Sequence, residues 1–127
     1  MDGLRILDLT QVAAGPYATM LLALMGAEVI KLEACSRMDI NRGNANPLPG
    51  DPRVYPNGEP GEQPWNRTAH HVHRNINKFG VTLDLATAQG KDLFLSLVRV
   101  SDVLVENYRA SVMDRLGLGY DVVAQVN

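Results

Sequence analysis

Length and composition restrict the protein to the class of modest globular domains. The chain has 127 residues, of which 46% are hydrophobic and 20% charged, so it can bury a core. Its formal net charge of -2 excludes the strongly basic surface of a dedicated nucleic-acid binder. The single cysteine, Cys35, excludes an internal disulfide and a cysteine-based zinc site, and it fits a reducing compartment.

No segment predicts export or membrane insertion. The N-terminal residues lack the basic region and the cleavage site of a signal peptide. The longest apolar stretch, residues 12–27, is interrupted by Gly15 and Pro16 and is too short to cross a bilayer. We therefore expect a soluble, cytoplasmic protein with no membrane partner.

The first part of the chain predicts a β–α–β unit. Residues 4–9 are rich in aliphatic side chains and are typical of a buried strand. Pro16 suits the first position of a helix over residues 17–25, and Gly26 suits its C-terminal cap. Residues 28–33 alternate with period two and predict a second, parallel strand.

Residues 36–74 differ in kind, because six of the seven prolines lie within residues 47–64 and no hydrophobic period survives there. They predict a long irregular insertion, a type of segment that is usually functional or mobile. The insertion contains three neighbouring histidines, His70, His71 and His73. We interpret them as exposed loop residues and predict no metal site, since three or four converging ligands are needed.

A second β–α–β unit follows the insertion. Residues 81–85 alternate as a strand, and Thr87 is a suitable N-cap for a helix that reaches about Val100. Residues 102–107 predict the next strand. Two such units predict an α/β fold with parallel strands, similar to the Rossmann fold, in which ligands bind at the carboxyl ends of the strands.

The C-terminal residues predict two short helices. Ser111 and Asp114 resemble a capping box for one helical turn that ends near Gly117. A helical pattern begins at Asp121 and reaches Asn127 without a C-terminal cap. The chain is therefore expected to stop within an element, as a truncated domain would.

Two segments are candidates for ligand contact. The turn over residues 12–17 contains small residues before a helix N-terminus, but it lacks the G-x-G-x-x-G pattern and by itself more often indicates tight packing. Asn107, Tyr108 and Arg109 follow a strand and offer an amide, an aromatic face and a guanidinium suited to phosphate. For these three residues, ligand contact and a solvated loop remain equal alternatives. Cys35 has no base beside it in any motif, so no nucleophile is predicted.

Three long motifs, in order along the chain, resemble the class III CoA-transferase family, which includes formyl-CoA transferase, carnitine CoA-transferase and α-methylacyl-CoA racemase. The motifs are residues 4–10, 14–22 and 26–33, then residues 74–78 and 81–85, and finally residues 102–109 and 112–120. The resemblance covers nearly the whole chain outside the proline-rich insertion.

The resemblance implies that residues 1–127 bind CoA, which enters the reaction as a thioester, and it implies no metal. The implied contacts are the turn residues Ala13 and Ala14, the adenine-side segment Leu83, Asp84, Leu85 and Ala86, the pantetheine- and phosphate-side segment Asn107, Tyr108 and Arg109, and Arg115 near the phosphates. From the residues alone, Arg115 is more simply a surface charge.

The chain departs from the family pattern in three places. Ala34 stands where some members carry an arginine after the second strand, and Arg37 is close enough in sequence to substitute. Ala110 and Ser111 replace the usual Pro-Gly. The family's catalytic aspartate lies downstream of the last motif, beyond Asn127, so no catalytic residue is predicted here.

The resemblance therefore implies the N-terminal, CoA-binding part of a CoA-transferase that acts on an acyl-CoA and a carboxylic acid. The absent aspartate would attack the thioester carbonyl, form a mixed anhydride and release CoA thiolate, after which an acceptor carboxylate takes over the CoA. A racemase of the same fold, which uses a general base, and a non-catalytic CoA-binding subunit are the alternatives. The family also implies an interlocked homodimer or a dimer with a related subunit.

Overall fold

Four parallel strands form one sheet in the order β3–β2–β1–β4 in the computed structural model, which describes residues 1–43 and 54–127. The strands are β1 (Arg5–Asp8), β2 (Glu28–Glu33), β3 (Phe79–Thr82) and β4 (Val103–Val105). The helices are α1 (Ala14–Leu24), α2 (Ala69–Arg74), α3 (Ala88–Val98), α4 (Val112–Arg115) and α5 (Tyr120–Ala124). Two short 3-10 turns, Pro56–Gly58 and Pro64–Asn66, precede α2.

The strand order confirms the predicted α/β fold of parallel β–α–β units. Helix α1 connects β1 to β2, and α3 connects β3 to β4, which pairs with the other edge of β1. The order of the strands thus reverses between β1 and β4. In open parallel sheets, this reversal leaves a crevice at the carboxyl ends of the strands, where ligands bind.

Both faces of the sheet are covered, because successive side chains of a strand point in opposite directions. On one face, Ile6 and Val29 pack with Ala23 of α1. On the other, Leu7 and Ile30 belong to a larger cluster that includes Phe94 and Val98 of α3. Strand β2 is buried at all four central positions, so its alternating sequence does not leave one face in water.

Helix α1 begins earlier than the sequence predicts. It starts at Ala14, which places Pro16 at the third helical position instead of the first. Gly15 lets the helix approach the end of β1, because a Cβ there would lie 2.4 Å from Cβ of Thr10. Gly26 has φ +95° and ends the helix as predicted.

The insertion is more regular than predicted, since α2 lies within residues 36–74. Thr68 caps this helix by accepting a hydrogen bond from the backbone N–H of His71. Helix α2 is too short and too polar to show a repeating pattern of hydrophobic residues, so the sequence did not predict it. The proline-rich residues 44–53 of the insertion lie outside the described residues.

Boundaries elsewhere also differ from the predictions. Strand β3 runs from Phe79 to Thr82, so it begins before the predicted start at Val81 and ends before the predicted limit at Leu85. Ser111 does not form the predicted capping box: it has φ +66° and its side chain accepts no cap hydrogen bond. Helix α5 ends at Ala124, before the predicted limit at Asn127. Among the described residues, no helix has the length and hydrophobicity to cross a membrane.

A buried charge cluster, Asp8, Lys31 and Lys78, joins the strands beneath α1. Asp8 and Lys31 are opposite one another in the register of β1 and β2, and their charged atoms are 3.7 Å apart. Lys78 Nζ lies 2.9 Å from Asp8 Oδ2, with both side chains almost fully buried. Thr10 and Thr19 donate hydrogen bonds to the two carboxylate oxygens. The cluster thereby holds α1, β1, β2 and the entry to β3 together.

The cluster favours the ionised carboxylate. Burial by itself raises the pKa of Asp8, but the charge of Lys31 and the hydrogen bonds from two threonines lower it below the ordinary value of 3.8. Burial also lowers the pKa of Lys78, against the opposing effect of Asp8. Lys78 also donates a hydrogen bond to the carbonyl of Pro16, which ties the first turn of α1 to the cluster.

Replacing the cap residue of α3 tests the local account of that helix. Thr87 accepts a hydrogen bond from the N–H of Gly90. We expect Thr87→Ala to lower the free energy of unfolding by about 1 kcal/mol, and Ser111→Ala by less than about 0.5 kcal/mol, because Ser111 caps nothing. Urea denaturation followed by circular dichroism measures both. Equal losses would contradict the assignment of Thr87 as the cap.

Replacing Lys78 tests the charge cluster. We expect Lys78→Met to lower the free energy of unfolding by about 3–5 kcal/mol at neutral pH, because Asp8 loses its nearest cation. The folded-state pKa of Asp8 is depressed, so its stabilisation is present above pH 3.8 and is lost as the pH falls through the lower, folded-state value. The difference between the two proteins should therefore shrink as the pH falls below 3.8. Urea titrations across this range measure it, with Lys91→Met on α3 as the control; a difference that does not change with pH would contradict this account.

Candidate ligand-binding site

A cavity of about 600 Å³ lies at the carboxyl ends of the strands, at the reversal in strand order. Segments that follow each of the four strands contribute to it, together with α4. Its lining residues are Leu9, Gln11, Val12, Leu32, Glu33, Ala34, Ser36, Arg37, Leu83, Asp84, Leu85, Ala86, Asn107, Tyr108, Arg109, Val112 and Leu116. The volume lies within the range of small-molecule sites.

The inner wall of the cavity is apolar and rigidly supported. Leu9 and Leu32 belong to the main core cluster, and Leu83 and Leu85 pack against that cluster from the segment after β3. These side chains continue the buried face of the sheet past the ends of the strands. They offer a surface on which a flat apolar ring can be desolvated.

Two arginines give the cavity a positive charge. Arg37 and Arg109 are exposed and line it, and among the described residues neither guanidinium has a hydrogen bond or an ion pair. Unpaired guanidinium groups are suited to phosphate oxygens, which they bind through two parallel hydrogen bonds. The cavity thus combines an apolar wall with free cations.

Tyr108 forms part of the boundary between the apolar wall and the charged opening. Its ring packs against the main core cluster, and its N–H donates to Glu106. Burial, followed by the charge of Glu106, raises the pKa of the Tyr108 hydroxyl above its ordinary value of 10.0. Tyr108 is therefore neutral at physiological pH and can donate a hydrogen bond to an anionic ligand.

The acidic residues of the cavity are already engaged. Glu33 forms a two-pronged ion pair with Arg42, with both distances 2.8 Å. Burial, the largest single effect, raises the pKa of Glu33, but the hydrogen bonds from Arg42 and from the Asp39 N–H, with the charges of Arg42 and Lys31, together lower it below the ordinary value. Asp84 accepts hydrogen bonds from the Ser36 hydroxyl and from the N–H of Ala86. These contacts fix the segments after β2 and β3 and reduce repulsion of an anionic ligand.

The turn after β1 forms another part of the wall and is strained. Val12 has φ +71°, a left-handed conformation that is rare for a β-branched residue and costs of order 1–3 kcal/mol. Gln11 is held by Asn107, whose carboxamide accepts from the Gln11 N–H and donates to the Gln11 carbonyl, each at 2.8 Å. Such strain persists only where surrounding contacts outweigh it, and it is common at functional sites.

The cavity brings together seven of the ten residues that the sequence predicted to contact a ligand. The lining members are Leu83, Asp84, Leu85, Ala86, Asn107, Tyr108 and Arg109. Ala13 and Ala14 are exposed at the start of α1, next to the lining residue Val12 but outside the cavity wall. Arg115 is exposed on α4 and donates to the Ser111 hydroxyl, also outside the wall.

Sequence reasoning missed the contributions of Gln11 and Glu33 to the site, and it named Val12 only as part of the turn over residues 12–17. The signal for Glu33 was a carboxylate at the end of a buried strand, where an unpaired charge would be costly. The conformation of Val12 has no signal in the sequence, because glycine or asparagine would be typical there. Arg37, considered only as a substitute for the arginine absent at position 34, does line the cavity.

A second cavity of about 590 Å³ lies between β4 and the C-terminal helices, and its chemistry is different. Its polar lining includes Asp102 and Glu106, and its described lining contains no lysine or arginine. None of the predicted site residues lies there. Across residues 1–43 and 54–127, no three His, Cys, Asp or Glu side chains converge as a metal site would require.

Comparisons with known proteins show the family of the chain. The model of CoA-transferase family III matches residues 1–127. The chain is 38% identical to a formyl-CoA:oxalate CoA-transferase of Streptomyces avermitilis, over all of this chain and 27% of the relative. It is 39% identical to a succinyl-CoA:mesaconate CoA-transferase of Haloarcula hispanica, over all of this chain and 29% of the relative.

Solved structures show the same relationship. A CaiB/BaiF family protein of Brucella suis superposes with a TM-score of 0.77 at 32% identity, over 99% of this chain and 30% of that protein. A hypothetical protein of Mycobacterium tuberculosis superposes with a TM-score of 0.76 at 35% identity, over all of this chain and 30% of that protein. The chain thus spans less than a third of the length of these relatives. With a family match from its first residue to its last, the chain belongs to CoA-transferase family III.

Proposed function

We propose that the chain binds the CoA portion of an acyl-CoA in the cavity at the carboxyl ends of its strands. The observation that carries the proposal is the convergence of an apolar wall with two free guanidinium groups, Arg37 and Arg109, in one cavity. CoA requires this combination, because an adenine ring and a pantetheine arm are joined by phosphates. The second cavity lacks the cations and fits this ligand poorly.

The segments around the cavity suggest an arrangement for the ligand. Leu83 and Leu85, with the backbone of Ala86, would hold the adenine ring, whereas Arg37 and Arg109 would take phosphate oxygens at the opening. Tyr108 would contact the pantetheine side. Arg115 and the N–H groups of Ala13 and Ala14 lie outside the cavity wall and would contact phosphates that extend beyond it.

For the whole protein we propose transfer of CoA from an acyl-CoA to a carboxylic acid, as the names of the relatives suggest. An aspartate outside residues 1–127 would attack the thioester carbonyl, form a mixed anhydride and release CoA thiolate; an acceptor carboxylate then takes over the CoA. The residues of this chain would bind and orient CoA during these steps. The interlocked homodimer, or a dimer with a related subunit, is what the family resemblance implies, and the cytoplasmic location is predicted from the sequence; both stay predictions.

Calorimetry with CoA and with phosphate-free pantetheine tests the binding proposal. We expect Arg109→Ala and Arg37→Ala each to weaken CoA about tenfold, because each removes a charge-assisted hydrogen bond to phosphate. Pantetheine should bind both variants as it binds the unaltered protein. Equal losses for the two ligands would contradict the phosphate role, and no binding of CoA by the unaltered protein would contradict the proposal itself.

Arg115 has a matched control elsewhere in the chain. Arg115 and Arg99 are both exposed, and each donates to a serine hydroxyl about one helical turn away, Arg115 on α4 and Arg99 after α3. We expect Arg115→Ala to weaken CoA and Arg99→Ala to leave it unchanged. If the two variants behave alike, Arg115 is a surface charge.

A further inference from the structure

The turn after β1 is held almost entirely by side chains. Residues Gln11 and Val12 present four backbone polar atoms, two N–H groups and two carbonyls, and side chains from two other segments bind all four. Asn107 binds the peptide atoms of Gln11 from the β4 side. Asp39 and Asn41, from the segment after β2, bind those of Val12. Two residues of main chain are thus gripped from both sides.

On the β4 side, the grip of Asn107 extends the sheet. The last backbone bond between β1 and β4 joins the Leu9 N–H to the Val105 carbonyl at 2.9 Å. Two residues farther on, the Asn107 carboxamide takes the position of a peptide group, because it offers the same donor and acceptor to Gln11. The pattern of hydrogen bonds between β1 and β4 therefore continues two residues beyond β4, through the Asn107 side chain instead of the backbone.

From the segment after β2, Asp39 and Asn41 each bind one backbone group of Val12. The Val12 N–H donates to Asp39 Oδ1 at 3.4 Å, and Asn41 Nδ2 donates to the Val12 carbonyl. Asn41 also donates to Asp39 Oδ1 at 3.0 Å, which ties the two side chains together. Neither Asp39 nor Asn41 lines the cavity, so both can affect it only through Val12, which does.

The second grip is itself anchored in the protein interior. Asp39 is 2% exposed, and its other oxygen, Oδ2, lies 3.9 Å from Lys31 Nζ of the buried charge cluster and has no hydrogen-bond donor among the described residues. Asn41 Oδ1 accepts from Arg74 Nη1 at 2.9 Å. The position of Asp39 and Asn41 is therefore set by the sheet and by α2, not by the turn that they hold.

We propose that Asn41, Asp39 and Asn107 are positioning residues that keep Val12 in its left-handed conformation and thereby shape the cavity wall that receives CoA. This inference rests on the proposed binding of CoA. It gives Asn107 a role that contact with a ligand would not require, since both functional atoms of its carboxamide serve Gln11. It also gives Asn41 and Asp39, which line no cavity, an effect on ligand affinity.

The hold on the turn is tested without any ligand, by amide hydrogen exchange in the whole protein. Asn41→Ala removes the donor to the Val12 carbonyl, and we expect the Gln11 and Val12 amides to exchange about tenfold faster. Asn77→Ala is the matched control: Asn77 also donates to a backbone carbonyl, that of Ala23, but at the opposite end of α1. Unchanged exchange in Asn41→Ala would overturn the proposal.

The link to CoA is tested by affinity in two backgrounds. We expect Asn41→Ala to raise the Kd for CoA about tenfold and Asn77→Ala to leave it unchanged. Glycine adopts φ +71° without strain, so in a Val12→Gly background Asn41→Ala should cost less than about threefold. A role confined to general stability would not produce this dependence on residue 12.

The remaining outcomes separate this inference from the proposed function. Equal loss of CoA affinity in both backgrounds would overturn the role of Asn41 as a positioning residue. If Asn41→Ala does not fold, amide hydrogen exchange in Asn107→Ala tests the hold on the turn, because this change removes both the acceptor for the Gln11 N–H and the donor to the Gln11 carbonyl without adding a charge to the cavity. Failure of the unaltered protein to bind CoA overturns the proposed function, and the exchange rates then decide the hold on the turn alone.

Discussion

The pairing of Asp8 with Lys31 and Lys78 is the interaction on which the rest of the structure depends. A carboxylate and two ammonium groups are buried in a parallel sheet, where an unpaired charge would be costly. Each buried charge therefore requires an oppositely charged neighbour, and these neighbours come from different elements. Lys31 comes from β2 and Lys78 from the residues before β3, so the cluster brings distant parts of the chain to one place.

The cluster also determines where the segment after β2 lies. Lys31 is within 3.9 Å of Asp39, and Glu33, at the end of the same strand, binds both Arg42 and the N–H of Asp39. A segment without regular secondary structure is thereby fixed by charge rather than by backbone pairing. Its side chains can then hold the turn after β1 in a conformation that a valine would not adopt alone. The buried charges and the cavity wall are parts of one connected arrangement.

The sequence could predict the fold and much of the site, because both follow from patterns that are local or repeated. Aliphatic runs marked the strands, Thr87 and Gly26 marked helix ends, and the order of elements implied parallel β–α–β units. Residues that directly follow strands, such as Asn107 and Arg109, were candidates for ligand contact because the ends of parallel strands share one edge. Their presence in a single cavity agrees with this reasoning.

The sequence by itself determined the α/β class, the number of strands and their succession along the chain, and the family motifs; the order of the strands within the sheet came from the structure. Only the tertiary structure decided that α2 forms within the insertion, that Ser111 caps nothing, and that Val12 is left-handed. It also decided that Asp8 and Lys78, 70 residues apart, share one buried site. The physical reason is the range of the forces involved. Hydrophobic periodicity and helix caps act within a few residues of sequence. Ion pairs, and hydrogen bonds from side chains to the backbone of distant residues, depend on which segments the fold brings together.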